Sequence, residues 1–219
     1  MSIRENIRDI LSGLPPGVNL EAAAKSRSPD EVLEAVDAGI SIIGENYLRE
    51  AEPLAPMLAG RARLHFIGHL QTNKAKKAVH LFDMIETVDS LRLALEIEKH
   101  ASALGKTMPV LIEVNSGREP QKFGVMPEDL ESLLRGMAGL PHVQVSGLMT
   151  MGPFSDDAET VRPYFRETRR CFEAVRMQDM PGVAMNILSM GMSGSFRTAI
   201  EEGANLVRIG TLIFGKRKR

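Results

Sequence analysis

The sequence predicts an α/β fold assembled from parallel βαβ units, and three observations predict it. Short apolar runs of strand length recur eight times along the 219 residues, roughly one every 27 residues. Between them lie longer segments whose apolar residues return at three- and four-residue spacing. Helix start and stop signals punctuate the junctions. Such units fit a closed (α/β)8 TIM-type barrel or an open doubly wound sheet, and the count of eight favours the barrel. No low-complexity linker or composition break divides the chain, so residues 1–219 are expected to form one domain.

Taken in order, a helical segment at Ile3–Leu14 precedes the repeat and adds an N-terminal helix to the barrel. Strand runs follow at Val18–Lys25, Ile40–Glu45, Leu64–His69, Met84–Val88, Pro109–Val114, Val143–Met149, Ala184–Met190 and Leu206–Ile209. The intervening helical stretches include Glu31–Ala38, Asn73–Phe82, Leu91–Leu104, Pro127–Met137, Glu159–Met177 and Phe196–Glu202. Ser28 then Pro29 reads as an N-cap followed by proline in the first turn, and Ser90 stands before the Leu91 helix. Pro127-Glu128-Asp129 puts acid in a first turn, where the helix dipole favours it. Glycines 39, 60, 105, 139 and 203 fall at helix ends, the positions of left-handed caps.

Composition narrows the function classes. Lys plus Arg number 27 against 28 Asp plus Glu, a net charge of −1, so no bulk field points to nucleic acid or an anionic membrane. One cysteine, Cys171, excludes a disulfide framework and a thiolate cluster; its apolar surroundings in sequence mark it as packing. Arg4, Glu5, Arg8 and Asp9 are incompatible with the apolar core of a signal peptide. No apolar stretch reaches the ~18 residues of a membrane span. The expectation is a soluble, cytoplasmic protein.

In an α/β barrel, catalytic and binding groups gather at the C-terminal ends of the strands. Here those ends carry Lys25, Glu45 with Asn46, His69, Asp89, Asn115, Thr150, Ser189 and Arg208. A strand reaching solvent also ends in polar residues, so single positions carry little weight. Lys25 follows three alanines; partial desolvation there would depress its pKa and suit Schiff-base chemistry, while a stem lying on the strand with its head in water is the plain alternative. The last two units sharpen the choice. Val207-Arg208-Ile209-Gly210-Thr211 runs from a strand into a glycine turn followed by a hydroxyl. Ser189-Met190-Gly191-Met192-Ser193-Gly194 is a second glycine- and serine-rich loop. Loops after the seventh and eighth strands commonly hold phosphate in barrels, so a phosphate-bearing ligand facing a lysine is the expectation.

The specific motifs are Ala24-Lys25-Ser26, Gly44-Glu45-Asn46-Tyr47, His65-Phe66-Ile67-Gly68-His69-Leu70-Gln71-Thr72-Asn73-Lys74, Lys122-Phe123-Gly124, Gly147-Leu148-Met149-Thr150, Leu188-Ser189-Met190-Gly191-Met192-Ser193 and Val207-Arg208-Ile209-Gly210-Thr211. With these, in this order over residues 18–215, the chain strongly resembles the pyridoxal-phosphate homeostasis protein family, relatives of the alanine racemase N-terminal barrel. The resemblance implies pyridoxal 5′-phosphate (PLP) held by Lys25 as a Schiff base. It implies phosphate binding by Ser189, Gly210 and Thr211, Arg208 near the pyridine nitrogen, and Asn46 and His69 along the cofactor's face. Lys122 matches a lysine associated in the family with cofactor transfer. Two positions depart from the family pattern: Arg27 replaces a second lysine, and Gly194-Ser195-Phe196-Arg197 replaces acidic residues.

The implied function is intracellular vitamin B6 homeostasis, with no established catalytic residue. The implied partners are PLP, with other B6 vitamers and PLP-dependent apoenzymes as further candidates. Neither nucleic acid nor membrane is expected as a partner, and the state expected is a monomer. An always-charged Arg208 beside the pyridine nitrogen disfavours its protonation and weakens the electron sink. Racemisation needs an acid/base on each face; the racemase supplies one from a C-terminal domain, and no counterpart of that domain is expected here. A weak PLP-dependent amino-acid racemase is therefore the alternative, and a PLP-free phosphate-ligand barrel ranks behind it. His65 and His69, four apart on a strand with no third ligand, are not expected to bind metal. The arginines at 162, 166, 169, 170 and 176, and the terminal Lys216–Arg219 run, read as solvated surface.

Overall fold

The computed structural model describes residues 2–153, 155 and 157–216. Eight parallel strands close on themselves in chain order, with β1 (Asn19–Ala23) paired to β8 (Leu206–Ile209) as well as to β2 (Ile42–Glu45). The others are β3 (Arg63–Phe66), β4 (Met84–Val88), β5 (Met108–Glu113), β6 (Val143–Met149) and β7 (Val183–Ser189). The predicted barrel is the observed fold, and no strand was missed.

The helices connecting them are α2 (Pro29–Asp37), α3 (Leu48–Leu58), α4 (Ala75–Leu81), α5 (Leu91–Ala103), α6 (Leu130–Met137), α7 (Ala158–Arg176) and α8 (Phe196–Glu201). Helix α1 (Ile3–Ser12) lies outside the repeat and packs against α2 and the single turn α9 (Thr211–Phe214), where Asn6 donates to the Ile213 carbonyl at 2.9 Å. Ser28 caps α2 through a reciprocal capping box with Glu31, as its sequence signature predicts. Gly39, Gly60, Gly105 and Gly203 have positive φ, whereas Gly139 does not. Helix α3 escapes sequence reading because Pro53 and Pro56 lie inside it; proline there removes backbone hydrogen bonds and normally ends a helix. Its buried Leu48, Ala51, Leu54 and Leu58 hold it against the sheet regardless.

The main core fills the layer between strands and helices, and Cys171 lies buried within it. The barrel interior is different. Met84, Leu111 and Met149 form a small apolar cluster there with Ile187. Glu86, Glu113 and Ser189 stand two residues after Met84, Leu111 and Ile187, hence on the same inward face one pleat closer to the C-terminal mouth. The interior therefore turns from apolar to charged as it approaches the site.

The arginines of α7 are not a bare basic face. Arg162 pairs with Glu159, Glu201 and Glu202, Arg166 with Glu202, Arg169 and Arg176 with Glu173, and Arg170 with Glu167. Beyond Lys216, the basic terminal run lies outside the described residues. Among the described residues no helix is long and apolar enough to cross a membrane.

Candidate functional site

Lys25 stands two residues past β1, and the chain turns sharply behind it. Ser26 adopts a left-handed φ of 62°, which costs a non-glycine residue about 1 kcal/mol. Glu50 of α3 accepts the Ser26 N–H at 2.8 Å and stabilises that turn. The half-buried Lys25 ammonium lies 5.0 Å from the centre of the Tyr47 ring, a cation–π contact.

Lys25, Asn46, Tyr47, His69, Thr87 and Glu113 line one cavity of about 860 Å³ at the barrel mouth. The strand β3 ends at Phe66, so His69 sits in the following loop rather than on the strand. Gly68 brings that loop against β2: a Cβ there would come within 2.3 Å of the Asn46 carbonyl oxygen. The close approach is what places Asn46 and His69 on the same cavity. The exposed His69 ring stacks on Phe123, centroids 3.5 Å apart and planes 11° apart, so a contact spans the mouth from the β3 loop to the β5 loop.

Gly210 and Thr211 sit on the rim beside Lys25 rather than in that cavity. A Cβ at Gly210 would lie 3.0 Å from the carbonyl oxygen of Ala23, which ends β1. The two glycine loops meet where the Leu212 N–H donates to the Ser193 hydroxyl at 3.4 Å. Ser189 is the remaining residue expected at the phosphate. It is wholly buried, donates to Glu86 at 2.7 Å and accepts a short hydrogen bond from Arg208. The hydroxyl of that loop near the surface is instead Ser193, four residues on. Sequence reading could have separated the two, because Ser189 is still part of the apolar strand run and Ser193 lies beyond the glycine.

Arg208 is buried, and its second nitrogen donates to the Thr150 carbonyl at 2.7 Å. Around it lies a cluster that sequence reading missed. Glu86 accepts from Ser189 and, at 2.8 Å, from His65 Nδ1. Glu21 sits opposite Arg208 in the β1–β8 register with both carboxylate oxygens buried. Gly44 makes room for it, since a Cβ there would overlap the Glu21 carboxylate. Burial opposes ionisation of both acids. The His65 hydrogen bond and charge, with Arg208, nevertheless hold Glu86 below the usual range. Glu21, buried and facing the charge of Glu86, is pushed well above it, with Arg208 opposing. The cluster thus keeps one carboxylate charged against Arg208 and the other protonated. Glu21, His65 and Glu86 together have the ligand types of a cation site, but the guanidinium beside them already supplies the positive charge.

Two further buried acids flank the mouth. Burial raises Glu113 to about 7, with Asp89 adding to the rise and Arg208 opposing it. Burial, then the charge of Glu50, raises Glu45 to about 8, with the Asn46 backbone opposing the rise. Folded Glu45 therefore stays protonated while the unfolded chain ionises, so stability falls as pH rises from about 4.5 through 8. Relative to the wild type, Glu45→Gln is expected to gain on the order of 4 kcal/mol between pH 5 and pH 9. Urea unfolding at both pH values measures this, and parallel pH dependences would contradict it.

Lys122 does not reach freely into the mouth. Its ammonium bonds Glu119 at 2.5 Å and the Gly152 carbonyl at 3.0 Å, tying the loop after β5 to the loop after β6.

Comparison with known proteins places the molecule first in a class. The family model for the alanine racemase N-terminal domain matches residues 1–218. Alanine racemase of Corynebacterium glutamicum shares the fold with a TM-score of 0.78 at 18% identity, over 98% of this chain and 61% of that one. This is a barrel of the alanine racemase N-terminal-domain class. The pyridoxal phosphate homeostasis protein of Aquifex aeolicus is 43% identical over 203 residues, covering 91% of this chain and 87% of the relative. That of Synechocystis is 34% identical over 211 residues, covering 95% and 96%. PipY of Synechococcus elongatus, solved with PLP bound, has a TM-score of 0.90 at 35% identity, over 98% of this chain and 100% of that one. The chain belongs to the pyridoxal phosphate homeostasis protein family.

Proposed function

We propose that this protein holds PLP reversibly at the barrel mouth through Lys25 and serves vitamin B6 homeostasis. The observation that carries the reading is a lysine on the wall of a large mouth cavity, beside a rim of glycine loops close enough to take a phosphate. Bound PLP supplies an aldehyde that condenses with a lysine amine. The chain's own residues fit that group. Backbone N–H groups around Gly210, with the hydroxyls of Thr211 and Ser193, can hold a phosphate on the β1 side of the mouth. Asn46 and His69 line the opposite wall.

Arg208 lies beneath, fixed by Ser189 and Thr150, and its permanent charge keeps a proton off any ring nitrogen set against it. Ser189 acts in this reading by holding Arg208, with phosphate contacts coming from the surface part of its loop. This arrangement favours storage and exchange over chemistry that needs a strong electron sink. Residues 1–219 acting as one PLP-binding domain, a monomeric state and a cytoplasmic location complete the reading. So does exchange of PLP and other B6 vitamers with PLP-dependent apoenzymes.

Borohydride reduction of the PLP-treated protein, followed by peptide mapping, tests it. A single pyridoxyl adduct is expected on Lys25, with loss of at least ~90% of the adduct in Lys25→Ala, the amine being the only route to the bond. An adduct confined to other lysines would overturn the reading.

A further inference from the structure

Beside the Lys25 cavity lies a second one of about 380 Å³, walled by the apolar Val114, Phe123, Met151 and Met192. The two share Glu113, Phe123 and Met151, so the Phe123 ring stands as a partition between them. Most polar side chains of the second cavity are already engaged. Asn115 is bonded to the Glu119 backbone, Ser116 to Thr150, and Glu119 to Lys122 and Gln121. Glu113 is the exception. It is only 8% exposed, it lies on both cavity walls, and its carboxylate has no hydrogen-bond partner among the described residues.

A carboxylate this buried needs a donor, and a cationic one most of all, because the ionised form is otherwise left uncompensated. Arg208 acts on it through space, but its donors go to Ser189 and Thr150. Asp89, the other charge acting on it, has the same sign. A compact N–H cation with a short apolar body would match the single carboxylate and the methionine and phenylalanine walls together.

We propose that this second cavity is a binding site for a small primary amine, its ammonium held by Glu113 and its chain by Met151, Met192 and Phe123. The proposal goes beyond the cofactor reading and does not require it. If both hold, the amine sits next to the lysine that carries the aldehyde, and primary amines are the class of molecule that competes with a lysine for one.

The test uses the full chain without PLP at pH 8.5, where Glu113 is ionised and the amines remain protonated. The probes are n-butylamine and L-norleucine, with tetramethylammonium as a cation lacking N–H, each followed by calorimetric titration. Saturable binding of n-butylamine is expected, at least tenfold weaker in Glu113→Gln and unchanged in Lys25→Ala. Met192→Trp, which fills the cavity without altering Glu113, is expected to abolish it, and tetramethylammonium is expected not to bind. Norleucine binding as tightly as n-butylamine would identify the site as one for amino acids; markedly weaker binding would restrict it to simple amines. No saturable amine binding, equal binding by Glu113→Gln, or equal binding of tetramethylammonium would overturn the proposal. None of these measurements involves PLP, so failure here leaves the Lys25 result standing, and failure there leaves this one.

Discussion

Arg208→Met is expected to destabilise the protein by about 3–5 kcal/mol, the cost of leaving a buried carboxylate without its cation. The substitution keeps an unbranched apolar stem but shortens it, so the loss combines charge and hydrogen bonding with a small void at a buried position. Glu86 would keep His65 and Ser189 but lose the guanidinium, and the Thr150 carbonyl would lose its donor. Adding Glu86→Gln should recover part of the loss, because it removes the stranded charge. The two substitutions are therefore expected to be non-additive by 1 kcal/mol or more in urea unfolding, as contacts within one network are. A single-variant loss below about 1 kcal/mol, or strict additivity, would show that the cluster is not held by this ion pair.

The second large effect is expected at Gly147. It sits in β6 with φ of 155°, where the pairing register with β5 and β7 shifts. A Cβ at this position would lie 1.8 Å from the carbonyl oxygen of Ile187, in the backbone of the adjoining strand. No side-chain rotation relieves such a contact; the two strands must separate. Gly147→Ala is expected to cost at least about 3 kcal/mol, in the range where strained backbone and broken pairing combine. Gly17→Ala offers the comparison, since its φ is also positive but nothing lies within 4 Å of a Cβ there. Equal melting temperatures for the two variants would refute the steric account.

The fold was legible because its signal is distributed. Eight apolar runs, most of them separated by helical periodicity, survive errors of one to three residues at a boundary, as at β5 and at the end of β3. What failed was local. The apolar face of α3 was hidden by Pro53 and Pro56, whose penalty is outweighed by burial that only the tertiary structure shows. The site divided along the same line. Lys25, Asn46 and His69 were readable from motifs, and the structure brings them onto one cavity. Glu21, Glu86 and Glu113 each lie inside an apolar run, where a lone acid gives no hint that it faces a barrel axis instead of solvent. Whether Ser189 or Ser193 reaches the surface depends on where the strand ends, and boundaries are the least certain part of any reading from pattern.

The two prolines of α3 have a consequence for how the molecule breathes. Pro53 and Pro56 have no N–H to offer the carbonyls of Arg49 and Glu52, four residues earlier. Two rungs of this helix's ladder are thus missing, and side-chain burial holds it across the gaps. That same stretch, through Tyr47, Leu48 and Arg49, forms one lip of the Lys25 cavity. Segments with gaps in their hydrogen bonding open at lower free energy than continuous ones. The lip is therefore expected to exchange its amide hydrogens faster than the closed ring of strands, which hydrogen exchange measures directly.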